Sequence, residues 1–354
     1  MSAGSEQTEL EATIRRVVHA ALGRDPERIQ WLPGALGLRR FARVWTGLAR
    51  PARLIARLER PEDPAGRPPG IPPEPALEPI RALLERAGLP VPARYGGDPE
   101  LGVDLLEDAG ELDLADAAAA ATPDERSALY REACGLVPRL QRIADPGGVA
   151  AFARRLDAPY FRYKAQLFCE HSLTAGGDRP SPAARACVER AFDAIARTVA
   201  RAPQRLAHRD LQSQNLLVRR DAPHGERLCL IDLQGALLAA PEYDLVCLLR
   251  DSYVELPQAE IDRLFERTRS ALPDAPEPEL AAWRFDALSL TRKGKDHARF
   301  LYAASVRGDR RYLRHLPATA RHLRAAAARL AARDPAFAEL AELIHALPEP
   351  ACGP

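Results

Sequence analysis

In the stretch HRDLQSQNLLV, His208, Asp210 and Asn215 stand at fixed offsets, and apolar residues follow at once. A second carboxylate, Asp232, lies in the apolar context LIDLQG. One chemistry uses all of them. A carboxylate at the mouth of a strand, Asp210, can accept a proton from a hydroxyl. The amide oxygen of Asn215 and the carboxylate of Asp232 are hard donors of the kind Mg2+ takes, the ion drawing its other ligands from water and substrate phosphates. Phosphoryl transfer asks little more of a protein than positioning and neutralisation of charge on the transferring group. An isolated H-x-D on a loop is more often a capping arrangement. Here the Asn and the second Asp set it apart.

The elements that must hold these residues can be read from periodicity. Residues 9–22 have helical spacing of apolar positions. IQWLPGALGLRRFARVWTG reads as strand, glycine turn, strand, and Arg53–Glu59 as a third strand. The Pro-rich RPEDPAGRPPGIPPEP is a loop. ALEPIRALLERAG is a helix closed by Gly88, with Pro90 beyond it. LGVDLLEDAGE reads as a strand entering an acidic turn. Helical patterns then dominate, in DLADAAAAA, in TPDERSALYREACGLVPRLQRI with a Thr122/Glu125 capping box, and in SPAARACVERAFDAIARTVARAP. Two short strands around the polar residues interrupt them, and helix resumes from Tyr243. The order predicts an α+β fold with a small β-rich N-terminal lobe, residues 1–108, and a large helical C-terminal lobe, residues 109–345. The turn at Asp108–Asp113 separates them, and 346–354 is a frayed tail.

Composition narrows the classes. The 354 residues are 46% hydrophobic and 28% charged with a formal net charge of +1, which favours neither nucleic acid nor a membrane surface as partner. The only lysines are Lys164, Lys293 and Lys295. The six cysteines (Cys134, Cys169, Cys187, Cys229, Cys247, Cys352) form no CxxC pair, so buried thiols are expected rather than a zinc site or a disulfide framework. The N-terminus has no basic segment followed by an apolar run, and no stretch reaches the length of a membrane span. A cytoplasmic protein is expected, with a monomer favoured. Trp31, Trp45 and Trp283 read as packing residues. Arg250 and Asp251 read as surface or interlobe ion pairs, and the charged block RKGKDHARF reads as a solvated helix face.

His208-Arg209-Asp210, Asn215 and Asp232, followed after a short link by Tyr243-Asp244-Leu245, resemble the kinase-like aminoglycoside phosphotransferase superfamily. HRDLQSQNLLV, IDLQGALLAAPEYDLVCLLRDSY and RKGKDHARFLYAASVRGDRRYL look like its bacterial branch of N-acetylmuramate/N-acetylglucosamine anomeric kinases of cell-wall recycling. No long activation segment of the protein-kinase kind separates Asp232 from the next helix. The resemblance implies a bilobal protein-kinase-like fold and a kinase using ATP and Mg2+ on a small-molecule hydroxyl, most closely that of an amino sugar. It implies Asp210 as the base or orienter of that hydroxyl. Asn215 and Asp232 become metal ligands, and His208 and Asp244 braces of the loop. Gly34 and Gly37 would lie in a loop over the phosphates, and the hinge at Leu106 and Glu107 would meet adenine. The superfamily's lysine on the third strand is missing. Arg57, or Arg53, stands in its place, and Glu78 or Glu74 would be its acidic partner. Glu170 and Gln234 are candidates for the acceptor. An aminoglycoside, choline-like or other sugar kinase is the alternative, as is a nucleotide-binding pseudokinase without turnover.

Overall fold

The computed structural model describes residues 3–33, 39–59 and 68–348. Gly34, Gly37, Cys352 and most of the expected tail lie outside them. The fold is α+β. Two compact units emerge, one holding the residues up to Arg67 with Pro90–Glu111, the other Pro68–Leu89 with Leu112 onward. The small unit is therefore discontinuous in sequence, and the helix after the Pro-rich loop belongs to the large one.

In the small unit, α1 (Ala3–Leu22) covers one face of a five-stranded sheet. Its strands are β1 (Arg28–Trp31), β2 (Arg40–Trp45), β3 (Arg53–Leu58), β4 (Arg94–Asp98) and β5 (Val103–Glu107), all antiparallel, in the order β1-β2-β3-β5-β4. Strand alternation supplies the core: Ala42 and Val44, Leu54, Ala56 and Leu58, and Val103 and Leu105 meet Ile14, Val17 and Val18 of the helix. β4 was not expected. Its glycines have a packing reason: a Cβ on Gly96 would stand 2.7 Å from the Cβ of Ala21 in α1.

The large unit begins with α2 (Leu77–Arg86), α3 (Leu114–Ala120), α4 (Pro123–Gln141) and α5 (Ala158–Leu167), which runs into a π-helical turn at Phe168–Ser172. Gly88 takes a left-handed φ of 74° just beyond α2, as its place after the last apolar residue predicts. Thr122 and Glu125 cap α4 reciprocally. Next come α6 (Pro182–Ala200), β6 (Arg205–Ala207), β7 (Leu216–Val218), β8 (Leu228–Leu230) and β9 (Leu237–Ala239). β6 pairs with β9 and β7 with β8, both antiparallel, so the segments 208–215 and 231–236 leave adjoining strand ends. The chain closes with α7 (Tyr243–Leu249), α8 (Gln258–Arg269), α9 (Pro278–Ser305), α10 (Leu316–Arg333) and α11 (Ala338–His345). α9 has 28 residues and buries most of its middle, polar positions included. The five described cysteines are buried and unpaired with one another. No described helix is long and apolar enough to cross a membrane.

Candidate active site

The segment from His208 to Asn215 is held from three directions. At its start, the buried carboxylate of Asp244, in the first turn of α7, accepts the backbone N–H groups of His208 (2.7 Å) and Arg209 (3.0 Å). In its middle, Arg292 of α9 donates from Nη1 to the Arg209 carbonyl (3.2 Å) and the Asp210 carboxylate (2.5 Å), and from Nη2 to Gln212 (3.1 Å). Near its end, the buried carboxylate of Asp251 accepts from Ser213 N (2.8 Å) and Oγ (2.5 Å). Arg209 has a φ of +77°, a costly conformation for a residue with a side chain, and these contacts fix it there. His208 donates from Nε2 to the Ile231 carbonyl (2.8 Å), which joins the loop to the second strand end.

Asp232 also has a left-handed backbone, with φ 62° and ψ 44°. The turn is kept in place by Arg154, whose guanidinium donates to the carbonyls of Gln234 (3.3 Å) and Ala236 (3.2 Å). Gly235 allows a close approach: a Cβ there would stand 3.0 Å from the Arg209 guanidinium, which would have to give slightly. The Arg209 guanidinium itself pairs with Glu74 at 2.5 Å and stands 3.5 Å from Asp210.

Two donors suited to Mg2+ meet at this hairpin. Ile231 N–H donates to the Asn215 carbonyl (3.1 Å), so Asn215 and Asp232 are one residue out of register across β7 and β8. Asn215 Nδ2 donates to the Asp210 carbonyl (2.8 Å), which orients the amide and leaves Oδ1 as the acceptor. Asp232 presents an exposed carboxylate, one oxygen of which accepts from Gln234 Nε2 (2.6 Å). An amide oxygen and a carboxylate are the donor set that a phosphate-bound Mg2+ takes from a protein. No cluster of three His, Cys, Asp or Glu suited to a metal occurs among the described residues, and this ion needs none.

Three cations, Arg292, Lys295 and Arg209, act on the Asp210 carboxyl. Burial opposes ionisation of its carboxyl, but Arg292, Lys295 and Arg209 outweigh that and hold it well below the usual carboxylate range. Lys293 and Lys295 pair with Asp296 at 2.7 and 3.4 Å. Burial and the nearby Arg292 push the Lys295 ammonium down to about 8. Lys164 is buried in α5 between the rings of Phe161 and Tyr243 (5.0 and 5.1 Å), and its Nζ has no hydrogen-bond partner. Burial, then Lys295 and Arg292, lower it to about 7. Of the three lysines of the chain, Lys295 acts directly on Asp210.

Two expectations change. The block RKGKDHARF is not a solvated face: Arg292, Lys293, Asp296 and His297 are buried, and Arg292 grips Asp210 directly. Arg250 and Asp251 are buried rather than superficial, and Asp251 serves the loop. Gln234 is buried, and its Nε2 donates to the Asp232 carboxylate (2.6 Å). Glu170 is exposed, and its carboxylate accepts from Gln166 (2.9 Å) one turn back on the helix surface. Glu78 pairs with Arg81 (2.7 Å) and Glu74 with Arg209, whereas Arg57 reaches Glu59 (2.5 Å) and Asp104 (3.3 Å) within its own sheet. Leu106 lies inside β5, and the amide of Glu107 donates to the Ala93 carbonyl (2.7 Å), so that N–H is committed.

Replacing Asp244 by Ala would strand two N–H groups and release the strained Arg209. A buried unsatisfied donor costs about 1–3 kcal/mol, so urea unfolding is expected to show a loss of about 2–4 kcal/mol. Asp244→Asn, which keeps one acceptor oxygen, is expected to lose less.

The sequence profile of the APH phosphotransferase enzyme family matches residues 31–285. The chain belongs to that family. This phosphotransferase is 28% identical over 276 residues to the N-acetylmuramate/N-acetylglucosamine kinase of Pseudomonas aeruginosa, spanning 76% of this chain and 77% of that one. Its fold is similar to that of a choline kinase from Streptococcus pneumoniae, with a TM-score of 0.55, 16% identity, and coverage of 92% and 99% of the two chains. It is also similar to the APH(2")-IIa of a streptomycin–ATP ternary complex, with a TM-score of 0.53, 13% identity, and coverage of 81% and 90%. The phosphotransferase is thus a small-molecule kinase with the protein-kinase-like fold of its family.

Proposed function

We propose that the enzyme transfers the γ-phosphoryl group of ATP to the anomeric hydroxyl of an N-acetylated amino sugar, N-acetylmuramate or N-acetylglucosamine. The observation that carries the reading is the Asp210 carboxylate, kept ionised and aimed by Arg292 at 2.5 Å within a segment pinned at three points. So acidic a carboxyl is a weak base near neutral pH. Its task is to accept the hydrogen bond of the sugar hydroxyl and hold that oxygen in line, taking the proton late, as a loose phosphoryl-transfer transition state allows. Asn215 Oδ1 and Asp232 would hold Mg2+, which supplies neutralisation of phosphate charge. His208, Asp244 and Asp251 keep the loop in place, and Gln234 holds the Asp232 side chain. Arg57, Leu106 and Glu107, with Gly34 and Gly37, are assigned to the nucleotide. The name of the Pseudomonas aeruginosa relative supports the acceptor.

Incubation with Mg-ATP and either sugar, followed by phosphorus NMR, is expected to give a sugar phosphate whose phosphorus couples to the anomeric proton. Transfer to an aminoglycoside or choline in place of both sugars would overturn the acceptor. ATP binding without transfer to any of them would favour an enzyme that has lost turnover.

A further inference from the structure

We propose that the helical unit carries a second anion site, a pocket around Arg250 that takes a phosphate group, either inorganic phosphate or the phosphate of a monoester. Arg250 directly follows α7 and is only 3% exposed. Its guanidinium donates from Nη1 to Gln258 (2.8 Å) and stands 5.3 Å from the ring of Phe285, while Nε has no partner. No carboxylate pairs with it among the described residues. The two acids whose charge it feels are engaged elsewhere. Asp286 pairs with Arg329 (2.8 Å) and Arg333, and Asp262 accepts from Gln258 (2.6 Å). Burying a guanidinium without a counter-ion is costly, and neither water nor an amide supplies the missing charge. Burial first, then Arg329, lowers its pKa to about 10.

The space beside it is an open surface pocket of about 520 Å³, lined also by Arg126, Glu255, Gln258, Arg321 and His322. Arg321 and Glu255 pair at 2.6 Å, both more than half exposed. Arg126 meets Glu260 only at 3.8 Å. His322 is buried with Nε2 unpartnered, and burial with the surrounding cations Lys293, Arg250, Arg321 and Arg329 keeps its ring neutral, down to about 3. The lining therefore sets three arginines against Glu255, with Glu260 behind Arg126. Guanidinium forks match phosphate oxygens two at a time, and a pocket this size holds a phosphate monoester as readily as the bare ion. None of these residues belongs to the set around Asp210.

The test is calorimetric titration of inorganic phosphate and, separately, of glucose 1-phosphate, at matched ionic strength in chloride, into the full-length protein. One equivalent should bind the unmodified enzyme and Asp210→Asn alike. Binding should weaken by at least about tenfold in Arg250→Met and by several-fold in Arg126→Ala. Binding of both ligands identifies bare phosphate as sufficient, and binding of the ester alone makes the monoester the ligand. The proposal fails if neither binds, if both arginine variants bind as before, or if Asp210→Asn abolishes binding, which would move the phosphate to the catalytic loop. Should Arg250→Met not fold, the lining arginines Arg126 and Arg321 carry the same test as alanine variants. A selenate-soaked crystal, read by anomalous scattering, then has to show its peak at Arg250.

Discussion

Asp210→Asn is expected to lower kcat by a factor of about 10² to 10⁴, the range for removing a positioned proton acceptor, with sugar and nucleotide binding changed only a few-fold. The amide keeps the shape of the carboxylate, but it loses the charge and one acceptor oxygen. Arg292 would then keep Asp296 at 3.2 Å, the Arg209 carbonyl and Gln212. The helix side of the site should therefore stand, and the thermal midpoint should move little. Initial rates at saturating sugar and ATP measure the effect. A variant within tenfold of the parent enzyme would remove Asp210 from the chemistry.

Arg292→Met is expected to produce the second large loss, about 10²-fold in kcat, through a different route. Arg292 touches no reacting atom in this reading and positions Asp210. Its removal leaves the carboxylate less anchored and deprives it of the strongest cation opposing burial. Arg292, Lys295 and Arg209 hold the Asp210 carboxyl below the usual range, so without Arg292 its pKa rises. The acid limb of the pH–rate profile should move to higher pH, and the relative loss should be greatest at the acid end. Arg292→Lys, which restores a charge but not the fork that reaches Asp210 and Gln212 together, should recover the position of that limb better than it recovers kcat. An unshifted limb in the methionine variant would show that the arginine acts on structure alone.

Why the loop residues could be read from the chain, and Arg292 could not, has a physical answer. His208, Asp210 and Asn215 lie within eight residues, and a short hairpin brings Asp232 beside them, so linear spacing carries the geometry. Arg292 comes 82 residues after Asp210 and sits among charges that look solvated when read locally. The signal that separates it is the helix around it. Phe285, Leu288, Leu290 and Phe300 bury different faces of α9, so a charge in its middle must find a partner inside. Asp251 and Arg250 mislead in the same way, since the end of a short apolar helix commonly reaches the surface and this one does not. The strands β1, β2, β3 and β5 carry alternating apolar residues and were legible. β4 was not, because its glycines answer to α1, which only the folded chain brings near.

The placement of the lysines has a practical consequence. The chain has only three: Lys164 and Lys293 are buried and Lys295 is largely covered, so the outer surface carries its positive charge mainly on arginine. Amine-directed reagents therefore find no ordinary lysine to consume them. A slow acylation of Lys295 would report, in a single mass-spectrometric peptide, each excursion that opens the interior of the catalytic region to the outside.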